Sequence, residues 1–519
     1  MLLVSKSRWM GNDALGLPSG ASPVGYAWMV RTFGLNVMPH HRWSFIGKVA
    51  RQSVVEQGIV WETFPSAYGP VDLPGHVEFA LRYDGVNIEI LAALFARLGT
   101  PEIELLRAWI LRKPTGANTR RAWFLFEVLT KQVLDIPDLS QGNYQLLLDP
   151  ETEFTGEPRR SRRHRVVNNL LGTEGFCPRV RRTPWIQSMA ARRLDQRLTA
   201  ILANYDADTL LRAATWLYSK ETKSSFEIEK EKPSGDKMTR FVAALHRAGE
   251  LLAVTPEVLV GLQNALVDPR FRDAGWRDSQ NYVAADARVK VDFVSPKPED
   301  LPGLMQGWLE CAALLERSDL DPVVAAAAAS FGFVFLHPFE DGNGRIHRFL
   351  IHYFLVRKGF TPAGTIVPVS ATMLDRMKEY DACLERFSVP LMARVQYDLD
   401  VRYGHVEVLN DTAGLYRYFD ATPMVEALYG WLAQAIDQDF VREIEFLVVY
   451  AEVKRRVGSI VELPARLENQ LVARCLENGG RLSHSRRKSM FPMLTDEEVA
   501  GVEGLIAEVV AGRGARSGP

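Results

Sequence analysis

Cysteine is scarce in this sequence. Its four cysteines (Cys177, Cys311, Cys383, Cys475) lie far apart and form no C-x-x-C pair, which argues against a disulfide-stapled secreted fold and against a cysteine zinc site. Long apolar runs are also missing: no run of about 18 uncharged apolar residues occurs, so no membrane span is expected. The first residues carry Lys6, Arg8 and Asp13 among their apolar neighbours and make a poor signal peptide. Net charge is nearly absent, because 62 Lys and Arg face 63 Asp and Glu. No global field therefore draws the protein to nucleic acid or to an anionic membrane. Internal repeats and low-complexity segments are lacking too. What remains is a 519-residue chain, 47% hydrophobic and 24% charged, long enough for about three domains and able to bury sizeable cores. The expectation is a soluble cytoplasmic protein.

Composition divides the chain into an N-terminal part over 1–182, a helical part over 183–400 and a further helical region over 401–519. The first part mixes Gly/Pro-rich loops with helical runs at residues 87–98 and 102–111, Pro101 opening the second. Its end is rich in arginine: Arg159, Arg160, Arg162, Arg163 and Arg165 surround His164, and Arg179, Arg181 and Arg182 follow. Such a run reads as a solvated linker or exposed face, with contact to a phosphate backbone as the sharper alternative. In the middle part Asp321-Pro322 starts a helix, and the uncharged, Ala-rich residues 323–329 belong to a buried one. Residues 288–293 alternate polar and apolar, which predicts a strand ended by Pro296, Pro298 and Pro302.

The stretch that carries chemistry is His337-Pro-Phe-Glu-Asp-Gly-Asn-Gly-Arg-Ile-His-Arg348. A buried helix runs into a polar, glycine-containing turn, and an amphipathic helix follows from about Asn343. Gly342 and Gly344 permit positive φ and remove side chains, so backbone N–H groups can converge on one point. With the positive end of the following helix they form an anion site. Arg345 and Arg348 share one face in the first turns of that helix, where they oppose its dipole unless an anion is bound. Two arginines beside a glycine nest point to a polyphosphate. Asp341 then supplies an oxygen for Mg2+, and His337 is the natural general base at neutral pH.

At these positions the chain resembles the Fic (filamentation induced by cAMP) family, whose signature is His-Pro-Phe-x-(Asp/Glu)-Gly-Asn-Gly-Arg-x-x-Arg; every specified position is matched. The resemblance covers residues 184–393. It implies a mostly α fold: a Fic helical core with a short β-hairpin flap, flanked by an N-terminal mixed domain and a C-terminal helical region. It also implies protein adenylyltransferase activity, moving AMP from ATP to a Ser, Thr or Tyr hydroxyl of a target protein, with self-modification as a further outcome. His337 would deprotonate the hydroxyl and Asp341 would hold Mg2+. Gly342, Asn343 and Gly344 would line the anion hole, Asn343 with its side-chain amide as well. Arg345 and Arg348 would bind the outer phosphates, Arg348 nearest the γ-phosphate. Phe339 would anchor the loop and Pro338 stiffen it, while His347 and His352 are ordinary helix residues.

Upstream, Ser225-Phe-Glu-Ile-Glu229 resembles the family's inhibitory helix, (Ser/Thr)-x-x-x-Glu-(Gly/Asn), placed near 222–230. The resemblance implies that Glu229 pairs with Arg348 and denies the γ-phosphate its partner. Lys230 departs from the family's Gly or Asn, and Ser224 to Glu227 also matches a capping box. The strand carrying Val289, Val291 and Phe293 lies where family members place the flap over the target, and Tyr380 lies where a tyrosine approaches the nucleotide base. Two alternatives stand beside this reading. One is a Fic-type transferase of phosphate, phosphocholine or UMP. The other is a nucleic-acid-binding regulator with a nucleotide-sensing core, resting on the Arg159–Arg182 cluster and on Arg486, Arg487 and Lys488.

Overall fold

A computed structural model describes residues 21–56, 58–284, 291–400 and 402–514. The chain is mostly helical with a few small sheets. Two compact units divide it. One holds the residues up to Arg192 together with Pro233–Phe360 and Arg376–Tyr429; the other holds Arg193–Lys232, Thr361–Asp375 and the residues from Gly430 onward. Among the described residues no helix is long and apolar enough to cross a membrane.

The first unit begins with a mixed sheet of Ser22–Val24, Arg42–Gly47, Ile59–Pro65 and Gln52–Glu56, in that spatial order. Arg42–Gly47 and Ile59–Pro65 run parallel; the other pairs are antiparallel. The two helical runs read from the sequence are the helices Ile88–Phe95 and Thr100–Arg112, the first capped by Asn87, whose side chain accepts from the Ile90 N–H at 3.0 Å. With Ala117–Thr130 they bury Trp109, Trp123 and Phe126 in one core.

The arginine-rich segment differs from the expected linker. Strands Arg159–Ser161 and Val166–Asn168 form a hairpin, with Gln145–Leu146 added in parallel. Arg163 reaches Glu127 at 2.9 Å and Asp138 at 2.5 Å, and donates to the carbonyls of Leu134 and Ile136. Arg165 donates to the carbonyls of Leu139 and Ser140. The partners of these guanidinium groups lie more than 20 residues away in the chain, so local composition does not show that the charges are used inside the fold.

The motif-bearing part of the first unit is a stack of helices: Pro256–Leu266, Leu301–Arg317, Pro322–Leu336, Asn343–Arg357 and Met377–Met392. Asp321 starts the third as expected, its carboxylate accepting from the N–H groups of Val323 and Val324 at 2.9 and 3.1 Å. That helix is buried almost all round. The helix Asn343–Arg357, expected to be amphipathic, is nearly all buried as well, including Arg345, His347 and Arg348. It packs along the length of Pro322–Leu336, so its polar residues near the start are turned inward. A second surprise is an antiparallel pair of strands, Tyr397–Asp400 with His405–Val408, where only helix was expected.

The second unit joins Leu194–Leu202 and Ala207–Ile228 to Val369–Asp375 and the helices after Gly430. Glu221, buried on Ala207–Ile228, accepts from the N–H of Ser370 at 2.9 Å and from its hydroxyl. Ser224, Ser225 and Glu227 lie inside this helix, so no capping box starts there. The helix ends instead at Glu229. The Lys230 N–H donates to the Glu227 carbonyl at 2.9 Å and the Glu231 N–H to the Phe226 carbonyl at 3.1 Å, the two bonds of a Schellman motif. Lys230 is the residue after the cap and takes φ 58, the left-handed conformation that glycine and asparagine tolerate best. Lys230 thus occupies a cap position whose backbone favours Gly or Asn. Replacing Lys230 by Gly is expected to stabilise the protein by about 0.5–1 kcal/mol, read as a higher urea midpoint. Lys230→Ala, which keeps the Cβ, should gain less; equal gains would show that the left-handed backbone is not the cause.

Candidate active site

The loop between Pro322–Leu336 and Asn343–Arg357 starts and ends in left-handed backbone. His337 takes φ 48 and Gly342 φ 93. At Gly342 a side chain would be strained by φ and would also meet Val267 at 3.3 Å, so glycine is required twice over. The His337 N–H closes the preceding helix on the Phe333 carbonyl at 3.0 Å, and its Nδ1 lies 3.2 Å from the Val334 carbonyl. A carbonyl can only accept, so Nδ1 carries the proton and Nε2 keeps its lone pair. Burial, with the Arg277 charge adding to it, lowers the imidazole from 6.5 to about 4, against the hydrogen bond to Val334. At neutral pH His337 is therefore an uncharged base with its tautomer set.

Asn343 opens the next helix. No side chain caps this helix start, which leaves its first N–H groups available to an anion. The Asn343 side chain itself is 2% exposed; its amide donates to the Phe339 carbonyl at 2.7 Å and its oxygen accepts from the Phe339 N–H at 3.0 Å. These two bonds brace the loop through the Phe339 backbone and use one of the two N–H donors of the amide. Phe339 is fully buried against Trp276 and Phe333, as its anchoring role requires.

Arg345 and Arg348 are each 1% exposed. Arg345 donates to the Leu266 carbonyl at 3.1 Å and to Asp341 Oδ1 at 2.6 Å. That same oxygen accepts from the Gly342 N–H at 2.6 Å. The carboxylate of Asp341 therefore sits where the glycine nest and the first arginine converge, while its side chain stays half exposed. Glu340 is exposed and accepts from Ser279 Oγ. Among the described residues no group of three or more His, Cys, Asp and Glu side chains is gathered to hold a metal. A divalent cation at Asp341 would need further oxygens from a ligand, as Mg2+ on phosphates commonly has.

Several residues of this site were not legible in the sequence. Asp273 accepts from the Glu340 N–H at 3.3 Å and from Gln263 Nε2 at 2.9 Å; burial raises its carboxyl above the ordinary value, helped by Glu340 and Asp341. Arg277 is the larger omission. It is 4% exposed, and its guanidinium donates to the carbonyls of His337 at 2.9 Å, Ser279 at 2.5 Å and Pro296 at 2.6 Å, while its N–H donates to Pro338 at 2.9 Å. No spacing rule marks a lone arginine 60 residues before the loop. Asn281 adds a bond from its amide to the Phe339 carbonyl at 3.1 Å.

These residues sit beside a short antiparallel hairpin, Tyr282–Val283 with Phe293–Val294. The strand expected over 288–293 is described only from Val291 on; Val289 lies outside the described residues. Val291 and Phe293 are buried, and the Phe293 ring lies 6.3 Å from that of His337. Tyr380 is buried on Met377–Met392, its ring 6.4 Å from that of His347. His347 is fully buried, and burial lowers it to about 3. In the second unit Ser225 is buried and Glu229 is partly exposed.

Residues 253–355 match the Fic/DOC family. The chain carries a Fic domain. Protein adenylyltransferase Fic of Nematostella vectensis is 39% identical over 87 residues, which are 17% of this chain and 19% of that protein. The Drosophila virilis protein of the same name is 38% identical over 102 residues, 20% of this chain and 19% of that one. Protein adenylyltransferase fic-1 of Caenorhabditis elegans is 36% identical over 93 residues, 18% and 16% of the two chains. The likeness is thus confined to the Fic domain, under a fifth of each relative's length. Among solved structures, a Fic family protein from Desulfovibrio desulfuricans G20 is similar at 20% identity and TM-score 0.38, over 59% of this chain and 87% of that one. A Fic domain containing signaling protein from Bacteroides thetaiotaomicron is similar at 19% identity and TM-score 0.36, over 50% and 97%.

The Arg277 bonds make a direct prediction about the Fic loop. Arg277→Gln leaves buried carbonyls of His337 and Pro296 without donors and should cost about 2–4 kcal/mol. A urea midpoint equal to that of the wild type would show that the loop does not depend on this guanidinium.

Proposed function

We propose that the Fic domain transfers AMP from ATP to a Ser, Thr or Tyr hydroxyl of a target protein. The observation that carries this reading is His337: a neutral imidazole, tautomer set by Val334, one loop away from an uncapped helix start that bears two buried arginines. The relatives named protein adenylyltransferases support it over the same domain. In the proposed step His337 Nε2 takes the hydroxyl proton and the hydroxyl oxygen attacks the α-phosphorus. The bond from that phosphorus to the α,β-bridging oxygen breaks, and pyrophosphate leaves. The helix-start N–H groups with Arg345 and Arg348 would hold the phosphates, and Mg2+ arriving with ATP would neutralise phosphate charge beside Asp341. Tyr380 is proposed near the base. Since Val291 and Phe293 are buried, the hairpin would register a target through its backbone edge and not through those side chains.

Glu229 is proposed to restrain this activity by competing with the γ-phosphate for Arg348, as the resemblance implies. The Schellman end of its helix supports the assignment: Lys230 adopts the backbone that the expected Gly or Asn would adopt, so the departure concerns the cap and not the carboxylate. The deciding experiment for the reaction is incubation of the purified chain with α-labelled ATP and a cell lysate. Protein-bound label with the mass of AMP supports the reading; a phosphate, phosphocholine or UMP adduct replaces it.

Removing the base should be the most selective change. His337→Ala is expected to lower transfer at least about a hundredfold while leaving MgATP affinity within a few-fold. A neutral base is lost only on protonation, so the acid limb of kcat/KM should lie well below pH 6.5. An acid limb at or above 6.5, or near-normal transfer by the variant, removes His337 from the role.

For the metal, Asp341→Ala should weaken Mg2+-supported ATP binding about tenfold or more, whereas Glu340→Gln should be nearly silent. The reverse order in one calorimetric titration would exchange their roles.

For regulation, Glu229→Gly should raise transfer several-fold, including onto the protein itself, and adding Arg348→Ala should cancel most of the gain. Equal rates for wild type and Glu229→Gly at saturating MgATP would show that Glu229 does not inhibit.

A further inference from the structure

A cavity of about 720 Å3 opens in the N-terminal part of the first unit, walled by residues between His41 and Pro184 and by none of the motif loop. Its lining includes Arg42, Arg82, Arg121, Arg179, Arg181 and Arg182. Three of these already have carboxylates: Arg42 with Glu62 at 2.5 Å, Arg179 with Glu153 at 3.2 Å and Arg181 with Asp420 at 3.2 Å. The other three have none among the described residues. Arg121 donates to the Leu146 carbonyl and to Asn118; Arg82 lies over the Tyr83 ring at 5.1 Å and Arg182 over the Phe154 ring at 4.2 Å. A guanidinium laid on an aromatic face is held in one plane while its N–H edge stays available for a bidentate acceptor.

The wall also carries acids. Asp84, Asp149, Glu151 and Glu153 also line the cavity. Burial pushes Asp84 up to about 7, so it holds less negative charge near neutrality than a free carboxylate; Glu153 is raised by burial and faces Arg179. On the same wall His41 is driven well below 6.5, first by burial and then by Arg179.

We infer that this cavity binds a small polyphosphate-bearing ligand, at a site separate from the Fic loop. Guanidinium groups from four chain segments converge on a hollow of ligand size, and planar forks of this kind match phosphate oxygens. A nucleic-acid duplex would instead meet them spread along an open face.

The test is calorimetric binding of inorganic tripolyphosphate to the full chain. Arg348→Ala isolates the cavity by disabling the Fic loop, and it should still bind the probe. In that background Arg82→Ala with Arg182→Gln should weaken binding at least tenfold with an unchanged urea midpoint. If Arg182→Gln unfolds the chain, the exposed Arg82→Ala alone decides, with a loss of three-fold or more expected. Loss of all binding on Arg348→Ala, or wild-type affinity in the cavity variants, overturns the inference. So does Arg182-dependent binding of a 20-base-pair duplex together with none of tripolyphosphate.

Discussion

Arg277 carries a full charge into the interior with no carboxylate within ion-pair reach among the described residues, and backbone carbonyls solvate it instead. Burial lowers its guanidinium to about 10, still far above neutrality, so the charge persists. A buried cation of this kind is tolerable only while its acceptors stay in place. Those acceptors belong to the loop (His337), to the turn after Arg277 (Ser279) and to the chain leaving the hairpin (Pro296). Each of the three segments is therefore fixed relative to the others by the need to keep one charge solvated.

The charge around the loop is arranged as if an anion were already present. Asp341 Oδ1 accepts from the Gly342 N–H and from Arg345, which is the pattern a phosphate oxygen would meet at the same helix start. The carboxylate thus offsets the repulsion between the helix dipole and its arginines in this state. A bound phosphate would take over part of that pairing, releasing Asp341 oxygens toward a cation. Asp273, raised by burial and by its acidic neighbours Glu340 and Asp341, adds negative potential beside the loop.

Sequence reasoning reached the parts of this molecule that depend on neighbours in the chain. Asp321 and Pro322 mark a helix start through local capping, and the run 323–329 has no surface to offer but a buried one. Gly342 is readable because positive φ is a local demand. What stayed hidden depends on distant partners. Arg163 looks like solvated charge until Glu127 and Asp138 are folded against it. The bonds between the Asn343 side chain and the Phe339 backbone close only once the loop has turned. Arg277, Asp273 and Gln263 obey no spacing relative to His337, since they arrive on separate elements. The inward turn of Asn343–Arg357 was missed for the same reason: its polar residues suggested a wet face that packing does not provide.

The second compact unit is assembled from three separate stretches of chain, and its helix Ala207–Ile228 has to wait for the later ones. Ser370, whose N–H and hydroxyl satisfy the buried Glu221, lies 149 residues downstream. On a ribosome, therefore, the helix Ala207–Ile228 emerges well before the surface on which it packs. The entire loop from His337 to Arg348 is synthesised in that interval. A nascent or truncated chain ending after Phe360 would hold every residue of the motif while the segment bearing Glu229 still lacked its seat.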